Sequence, residues 1–64
     1  MKEQIYLERD GAIATVTLNQ PERYNAMNEN MWRGLGDLMG ECDIDKDLRC
    51  VIIRGAGGKA FSAG

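Results

Sequence analysis

The chain contains no histidine, one proline and two cysteines among its 64 residues. The spacing between Cys42 and Cys50 does not match the C-x2-4-C pairs of zinc sites, and no histidine is present to complete a ligand set. The first residues lead straight into a strand-like stretch, without the apolar segment of a secretory signal. We therefore expect no metal, we interpret both cysteines as buried thiols rather than a disulfide or redox pair, and we predict a reducing cytoplasmic compartment.

Long apolar runs and an excess of positive charge are also lacking. No run approaches the roughly 18 apolar residues of a membrane-spanning helix, so we predict no contact with a membrane. The net charge is −2 and the basic residues form no stripe, which argues against nucleic acid as a partner. A phosphate-bearing small molecule stays compatible with this charge, because one or two cations and backbone N–H groups can bind it locally.

The first half of the chain predicts a β-hairpin followed by a loop. We expect one strand over Gln4–Arg9, a tight turn at Asp10–Gly11 and a second strand over Ile13–Leu18, which is rich in β-branched residues. Pro21 ends the second strand because it lacks the N–H group that a strand pair requires. The segment up to Asn25 is therefore predicted to be a loop.

The second half predicts one helix and one buried strand. Asn28 is the expected N-cap of a helix that extends to about Asp43, with an apolar stripe of Met31, Trp32, Leu35, Leu38, Met39 and Cys42. We expect Trp32 and the methionines to lie in the core, and the helix glycines to allow close packing against a sheet. Cys50–Ile53 is continuously apolar, as in strands buried on both faces of a parallel sheet. The order β-β-α-β predicts a right-handed crossover that makes the last strand parallel to its predecessor.

The small size of the chain suggests that it does not form a complete domain. A chain of this length buries only about 60% of the surface of its unfolded form, which leaves a small net stability. The last predicted strand looks like the most buried element, yet no later segment in this sequence could cover its second face. We expect the missing layers to come from the remainder of a longer protein or from a complementary chain.

Three stretches of the sequence form an ordered set of motifs: Asn19–Met27 (NQPERYNAM), Cys50–Gly55 (CVIIRG) and Lys59–Gly64 (KAFSAG). Together they resemble the crotonase superfamily of enoyl-CoA hydratases and isomerases. The resemblance covers nearly the whole chain and implies an α/β fold, the β-β-α-β start of a crotonase-type ββα spiral with a mixed sheet. Residues 1–64 would then be the truncated, amino-terminal part of a single crotonase-like domain.

The resemblance also implies a reaction. Its members bind acyl-CoA thioesters and stabilise an enolate-like oxyanion with two backbone N–H donors. The first donor would belong to the residue after Gly64, and the acid/base carboxylates to later segments. No catalytic residue is therefore assigned within this chain, and we expect the 64 residues alone to be inactive. The resemblance implies no cofactor apart from the coenzyme A of the substrate, and a homo-oligomer, a trimer or hexamer.

Four residues are candidate contacts to coenzyme A, again by resemblance. Ala63 and Gly64 would form a turn whose backbone approaches the ligand, because small side chains permit that approach. Arg23 lies in a loop that often supplies a cation for the phosphates, and a guanidinium binds phosphate bidentately. Tyr24 could pack beside the ligand, although a role in covering the core is favoured. Lys59 is interpreted as a surface residue.

Asn25 is the one polar residue of the loop for which the sequence predicts a structural role. Asn side chains commonly form hydrogen bonds with nearby backbone, so we expect its amide to fix the loop.

Alternatives remain open on the sequence alone. The reaction could be that of an enoyl-CoA isomerase or of another acyl-CoA lyase or hydrolase in the same family, and a non-catalytic binding or assembly protein could retain the same scaffold. The segment Gly55–Ala60 also fits G-x-G-x-x-A, the pattern of a dinucleotide-binding turn. Such a turn should open a helix at once, and Phe61–Gly64 is a poor start for a helix.

Overall fold

A computed structural model describes residues 3–58 and 61–62 of the chain. The elements are strand β1, strand β2, a short 3-10 helix, helix α1 and strand β3, over Ile5–Asp10, Ile13–Leu18, Pro21–Arg23, Glu29–Ile44 and Cys50–Gly55. The order β-β-α-β is the predicted one. The helix ends one residue beyond the predicted boundary, and β3 includes two further residues.

The hairpin is shifted by one residue at its turn. β1 runs one position later than predicted, and the two residues between the strands are Gly11 and Ala12 rather than Asp10 and Gly11. The positive φ falls on Gly11, at +59°, which is the conformation that glycine adopts without steric cost. The sequence therefore identified the correct glycine, but Asp10 pairs with Ile13 and belongs to the strand.

The three strands form one mixed sheet with β2 in the centre. β1 pairs with β2 antiparallel, and β3 pairs with β2 in parallel, so that Leu18 lies opposite Gly55. This confirms the predicted mixed sheet and the parallel last strand. Because β2 and β3 are parallel, the loops that follow them leave the sheet at the same edge, which we call the carboxyl edge.

Helix α1 packs across one face of β1 and β2. Asn28 caps it, since its Oδ1 accepts a hydrogen bond from the Met31 N–H at 2.9 Å. Met31 is fully buried against the sheet, together with Ala14, Val16 and Leu18 of β2. A Cβ on Gly34 would lie 2.8 Å from Cγ2 of Ile5, which confirms that one helix glycine permits close packing. Gly36 and Gly40 face open space and have no such role.

The predicted core position of Trp32 is wrong, because its side chain is 60% exposed. Met39 is also exposed, whereas Met31 is buried and Met27 half-buried. The reason is geometric. A helix turns about 100° per residue, so Leu35, Leu38 and Cys42 lie close to the direction of Met31, but Trp32 and Met39 lie about 80–100° away.

The expected burial of β3 and of the two thiols is also not observed among the described residues. Ile52 and Ile53 are 44% and 39% exposed, Cys50 is exposed and Cys42 is half-buried. β3 is an edge strand of this sheet, and the helix lies over its other two strands. The apolar character of β3 was recognised correctly, but the described residues contain no layer that covers it.

Candidate functional site

The carboxyl edge brings together the two loops that carry the sequence motifs. The connection 19–28 follows β2, the segment 56–62 follows β3, and the Ala56 N–H donates to the Leu18 carbonyl at 2.8 Å, which extends the pairing of the two strands. Helix α1 also begins at this edge. In open α/β sheets, ligands bind outside the carboxyl ends of parallel strands, so this edge is the expected place for a site.

The loop after β2 has an unusual backbone. Its 3-10 helix ends at Arg23, and the next two residues, Tyr24 and Asn25, have φ values of 52° and 57°. The left-handed region costs a residue with a side chain about 1–2 kcal/mol, although Asn tolerates it better than most. Two such residues in a row persist only where the surroundings hold them, and such strain is typical of functional loops.

Asn25 supplies that support and confirms its predicted role. It is fully buried, and its Oδ1 accepts a hydrogen bond from the Gln20 N–H at 2.8 Å. Its Nδ2 donates to the Ala56 carbonyl at 2.9 Å, and its own carbonyl accepts from the Ser62 hydroxyl at 2.9 Å. One side chain therefore closes the first loop and joins it to the second.

Gly57 gives the two loops their close approach. Its φ is +90°, and a Cβ at this position would lie 2.5 Å from Cβ of Pro21. Only a residue without a side chain can therefore occupy this turn while Pro21 stays where it is. Gly58 shares the positive φ but has open space around it.

Arg23 and Tyr24 are both presented to solvent at this edge. Tyr24 is 53% exposed, which contradicts the favoured interpretation that it covers the core. Arg23 is exposed, and its guanidinium takes part in no ion pair within residues 3–58 and 61–62. Both side chains are therefore available to a ligand beside the carboxyl edge.

An apolar cavity of about 220 Å3 lies next to these loops. It is lined by Leu18, Met27, Trp32, Leu35, Ile53, Phe61 and Ser62. The exposed ring of Trp32 therefore forms part of a concave surface rather than standing alone. An apolar cavity of about 150 Å3 can take up a molecule the size of benzene, so this one is large enough for a small apolar group.

The remaining candidates of the sequence analysis lie outside the described residues. These are Ala63, Gly64 and Lys59. Two features of the site were not predicted from the sequence: the role of Ser62 and the contact between Gly57 and Pro21. Ser62 stands inside the KAFSAG motif and is next to Ala63, which was the available signal. No local pattern indicates that Gly57 approaches Pro21, because 36 positions separate them.

The described part of the chain contains no cluster of side chains able to hold a metal ion. Among these residues there is also no helix long and apolar enough to cross a membrane. Within residues 3–58 and 61–62, the only ion pair between residues far apart in the chain is that of Arg9 with Asp45, at the opposite edge of the sheet. The Arg9 guanidinium holds the pKa of the Asp45 carboxyl below its usual value, and the Asp45 carboxylate raises the pKa of Arg9.

The carboxyl edge thus carries an anchored loop with an exposed cation, a glycine turn and an adjoining apolar cavity, which is the class of site that binds small molecules in α/β proteins. The sequence model of the family "Enoyl-CoA hydratase/isomerase" matches residues 13–64. The chain belongs to this family, the crotonase superfamily.

Individual proteins agree with this assignment. The short-chain-enoyl-CoA hydratase of Clostridium acetobutylicum is 38% identical over 60 residues, which are 94% of this chain and 23% of that protein. The mitochondrial 3-hydroxyisobutyryl-CoA hydrolase of Homo sapiens is 40% identical over 62 residues, 97% of this chain and 16% of the hydrolase. The chain therefore spans less than a quarter of the length of these two relatives.

Solved structures show the same fold. The crystal structure of an enoyl-CoA hydratase/carnithine racemase from Magnetospirillum magneticum superposes with a TM-score of 0.89 at 52% identity, over 97% of this chain and 23% of that one. A further structure, described as an enoyl-CoA hydratase/isomerase from Mycobacterium abscessus, gives 0.90 at 36% identity, over 95% of this chain and 25% of that one. The expected crotonase-type start of the fold is confirmed.

Proposed function

We propose that the protein to which this chain belongs is an acyl-CoA enzyme that adds water across a carbon–carbon double bond next to a thioester. The observation that carries the proposal is the family match over residues 13–64. The loops after β2 and β3 leave the sheet at the carboxyl edge, where the Ser62 hydroxyl bonds to the Asn25 carbonyl. The reaction places negative charge on the thioester oxygen, and backbone N–H donors in a dry site stabilise that charge selectively.

The proposal gives the loops separate roles. Ala63 and Gly64 form the turn that brings backbone to the coenzyme A thioester, and Arg23 binds its phosphates. Tyr24 packs beside the same ligand. The exposure of Arg23 and Tyr24 at one edge supports this arrangement, and the neighbouring apolar cavity supports a ligand with an apolar part. Coenzyme A then arrives with the substrate, and no other cofactor is required.

Isomerisation of the double bond and hydrolysis of the thioester are the second candidates. Hydrolysis is favoured by one observation, since mitochondrial 3-hydroxyisobutyryl-CoA hydrolases from rat and human are 43% and 40% identical to this chain. We also propose a homo-oligomer, a trimer or hexamer, and a cytoplasmic location. Because some relatives are mitochondrial, the family match supports the chemistry but does not determine the compartment.

The deciding experiment uses the product of the complete reading frame. Hydration is followed by the loss of the enoyl absorbance of crotonyl-CoA, isomerisation by the appearance of that absorbance from 3-enoyl-CoA, and hydrolysis by the free thiol released from 3-hydroxyisobutyryl-CoA. Turnover of crotonyl-CoA supports the leading proposal. Thiol release without hydration would replace it by the hydrolase, and binding of coenzyme A without turnover would indicate a non-catalytic protein.

The role of Arg23 is tested in the same assay. We expect Arg23→Ala to raise KM by about 10- to 150-fold while kcat stays close to wild type, because a charge-assisted hydrogen bond to phosphate contributes about 1.5–3 kcal/mol. The effect should shrink at high salt. Arg33→Ala is the matched control, since Arg33 is an exposed arginine that pairs with Glu29 on the helix. Equal KM values for the two variants would remove Arg23 from the site.

A further inference from the structure

We infer that Asn25 is a positioning residue, which sets the alignment of the thioester by holding the loop 20–25 and residues 56–58 and 61–62, which follow β3, in one relative placement. The inference rests on the proposed function, because it concerns the same site. It goes beyond loop stability, because it states that one buried amide sets the distance and orientation between two separate groups of proposed ligand contacts.

The hydrogen bonds of Asn25 reach both sides of the carboxyl edge. Its Oδ1 receives the Gln20 N–H at 2.8 Å, its Nδ2 reaches the Ala56 carbonyl at 2.9 Å, and its carbonyl receives the Ser62 hydroxyl at 2.9 Å. The first bond lies within the loop, and the other two cross to the segment after β3. We call these three bonds the Asn25 clasp.

Two of the three bonds require an amide side chain, whereas the bond from Ser62 uses the backbone carbonyl of Asn25. A carboxylate of the same length could accept from Gln20 but could not donate to the Ala56 carbonyl, and alanine could do neither. Burial makes the loss costly, because an unpaired donor or acceptor out of water costs about 1–3 kcal/mol. The backbone adds a further restriction, since φ is 57° and Asn is one of the few residues that adopt this conformation readily.

The position of the clasp in the chain connects it to the ligand. Arg23 and Tyr24 directly precede Asn25, and Ala63 and Gly64 directly follow Ser62. Each proposed pair of ligand contacts therefore lies next to one end of the clasp. A change in the distance between these ends moves the cation, which holds the phosphates, relative to the backbone turn proposed at Ala63 and Gly64. The thioester of a ligand held by both is then displaced from that turn.

The test is steady-state kinetics on the full-length protein with Asn25→Ala and Asn25→Asp. A misplacement of about 1 Å can lower a rate about 100-fold, so we expect kcat to fall by about 10- to 100-fold. The affinity for free coenzyme A should change much less than kcat, because each loop keeps its own contacts. A purely structural role would instead lower the melting temperature and leave kcat per folded molecule unchanged.

Asn19→Ala is the matched control. Asn19 lies in the same connection, and its Nδ2 donates to a backbone carbonyl at 2.9 Å, but that carbonyl belongs to Glu3 near β1 and not to the segment after β3. We expect this variant to lose stability and to keep its kcat. An equal loss of kcat in Asn19→Ala and Asn25→Ala would overturn the inference.

The pH profile of Asn25→Asp gives a second readout. Once protonated, the introduced carboxyl can donate to the Ala56 carbonyl and still accept from Gln20. Its kcat relative to wild type should therefore recover as the pH falls, whereas that of Asn25→Ala should not. Parallel profiles for the two variants would count against the clasp.

Amide hydrogen exchange tests the clasp independently of activity. We expect Asn25→Asp and Ser62→Ala to increase exchange in residues 20–25 and 56–58 together, while Asn19→Ala leaves these residues protected. Unchanged exchange would overturn the inference even if the wild-type protein had no acyl-CoA activity. A wild-type protein without activity but with the expected exchange would instead reject the proposed function and leave the clasp in place. If Asn25→Ala does not fold, Ser62→Ala carries the kinetic test.

Discussion

At the scale of single residues, the site depends on positions where one side chain, or none, fits. Asn25 is buried and serves two loops, and Gly57 lies against Pro21 with no room for a Cβ. Tyr24 differs from these buried positions, because its backbone is in the left-handed region while half of its side chain faces solvent. Such strain at an exposed ring is compatible with a residue whose task is to face a ligand.

Gly57 and Gly58 allow a prediction at this scale. Gly58→Ala should destabilise the protein by about 1–2 kcal/mol, the cost of the left-handed conformation. Gly57→Ala should add about 1–3 kcal/mol to that cost, because its methyl group would overlap Pro21. The free energy of unfolding in urea measures both. Equal losses would mean that Pro21 moves aside without cost and that the approach of the loops is not fixed.

At the scale of elements, an ion pair joins the end of the helix to the hairpin. Arg9 of β1 pairs with Asp45, the residue after α1, and the Arg9 Nε donates to the Gly11 carbonyl at 2.7 Å. Asp45 also accepts from the Asp47 N–H at 3.0 Å, which shapes the turn that leads to β3. At the edge opposite to the site, this ion pair adds to the backbone hydrogen bond from the Arg49 N–H to the Ala12 carbonyl, at 2.8 Å. At the site, the buried amide of Asn25 joins the two loops.

This ion pair predicts a dependence of stability on pH. The hydrogen bond from Arg9 is the largest cause that lowers the pKa of Asp45 from its ordinary value of 3.8, and the N–H of Asp47 adds to it. The contribution is therefore fully present above that ordinary value and is lost as the pH falls through the lowered pKa of the folded state. We expect Asp45→Asn to be less stable than wild type at pH 7 and the difference to vanish in acid.

Unfolding curves between pH 2 and pH 7 check this prediction, at low salt, where exposed pairs are screened least. Asp43→Asn is the control, since Asp43 is an exposed carboxylate near the same helix end that forms no ion pair in the described part of the chain. If both variants showed the same change with pH, net charge rather than the pair with Arg9 would be the cause.

At the scale of the whole molecule, apolar surface is left uncovered. Trp32, Ile53 and Phe61, which line the apolar cavity, are all exposed, and Ile52 is exposed on the other face of the sheet. Isolated exposed apolar side chains are normal, but several close together mark contacts with a ligand or with further protein. The relatives are more than four times as long as the region they share with this chain, so they contain additional structure that could occupy these positions.

A further prediction at this scale concerns the catalytic activity of the 64 residues when they are expressed alone. We expect no hydration of crotonyl-CoA, because both oxyanion donors and the acid/base groups implied by the family resemblance are not among these residues. The measurement is the enoyl absorbance over time, with the product of the complete reading frame as the active control. Turnover by the 64-residue chain alone would contradict the proposed assignment of the catalytic groups.

The sequence by itself determined the elements and their order. The β-branched run of β2, the N-cap Asn28 and the apolar run of β3 are local signals, and each produced the structure that it predicted within one or two residues. Asn25 could be recognised as a loop-fixing residue for the same reason, since an Asn side chain forms its hydrogen bonds close to its own backbone. The motifs also indicated the correct family.

Only the tertiary structure decided which residues meet and which are covered. The exposure of Trp32 depends on the width of the helix face that the sheet covers, and that of β3 on its place at the edge of the sheet. The contact between Gly57 and Pro21 and the bond from Ser62 to Asn25 join positions more than 30 residues apart. Their physical cause is the parallel pairing of β2 and β3, which brings two distant loops to the same edge.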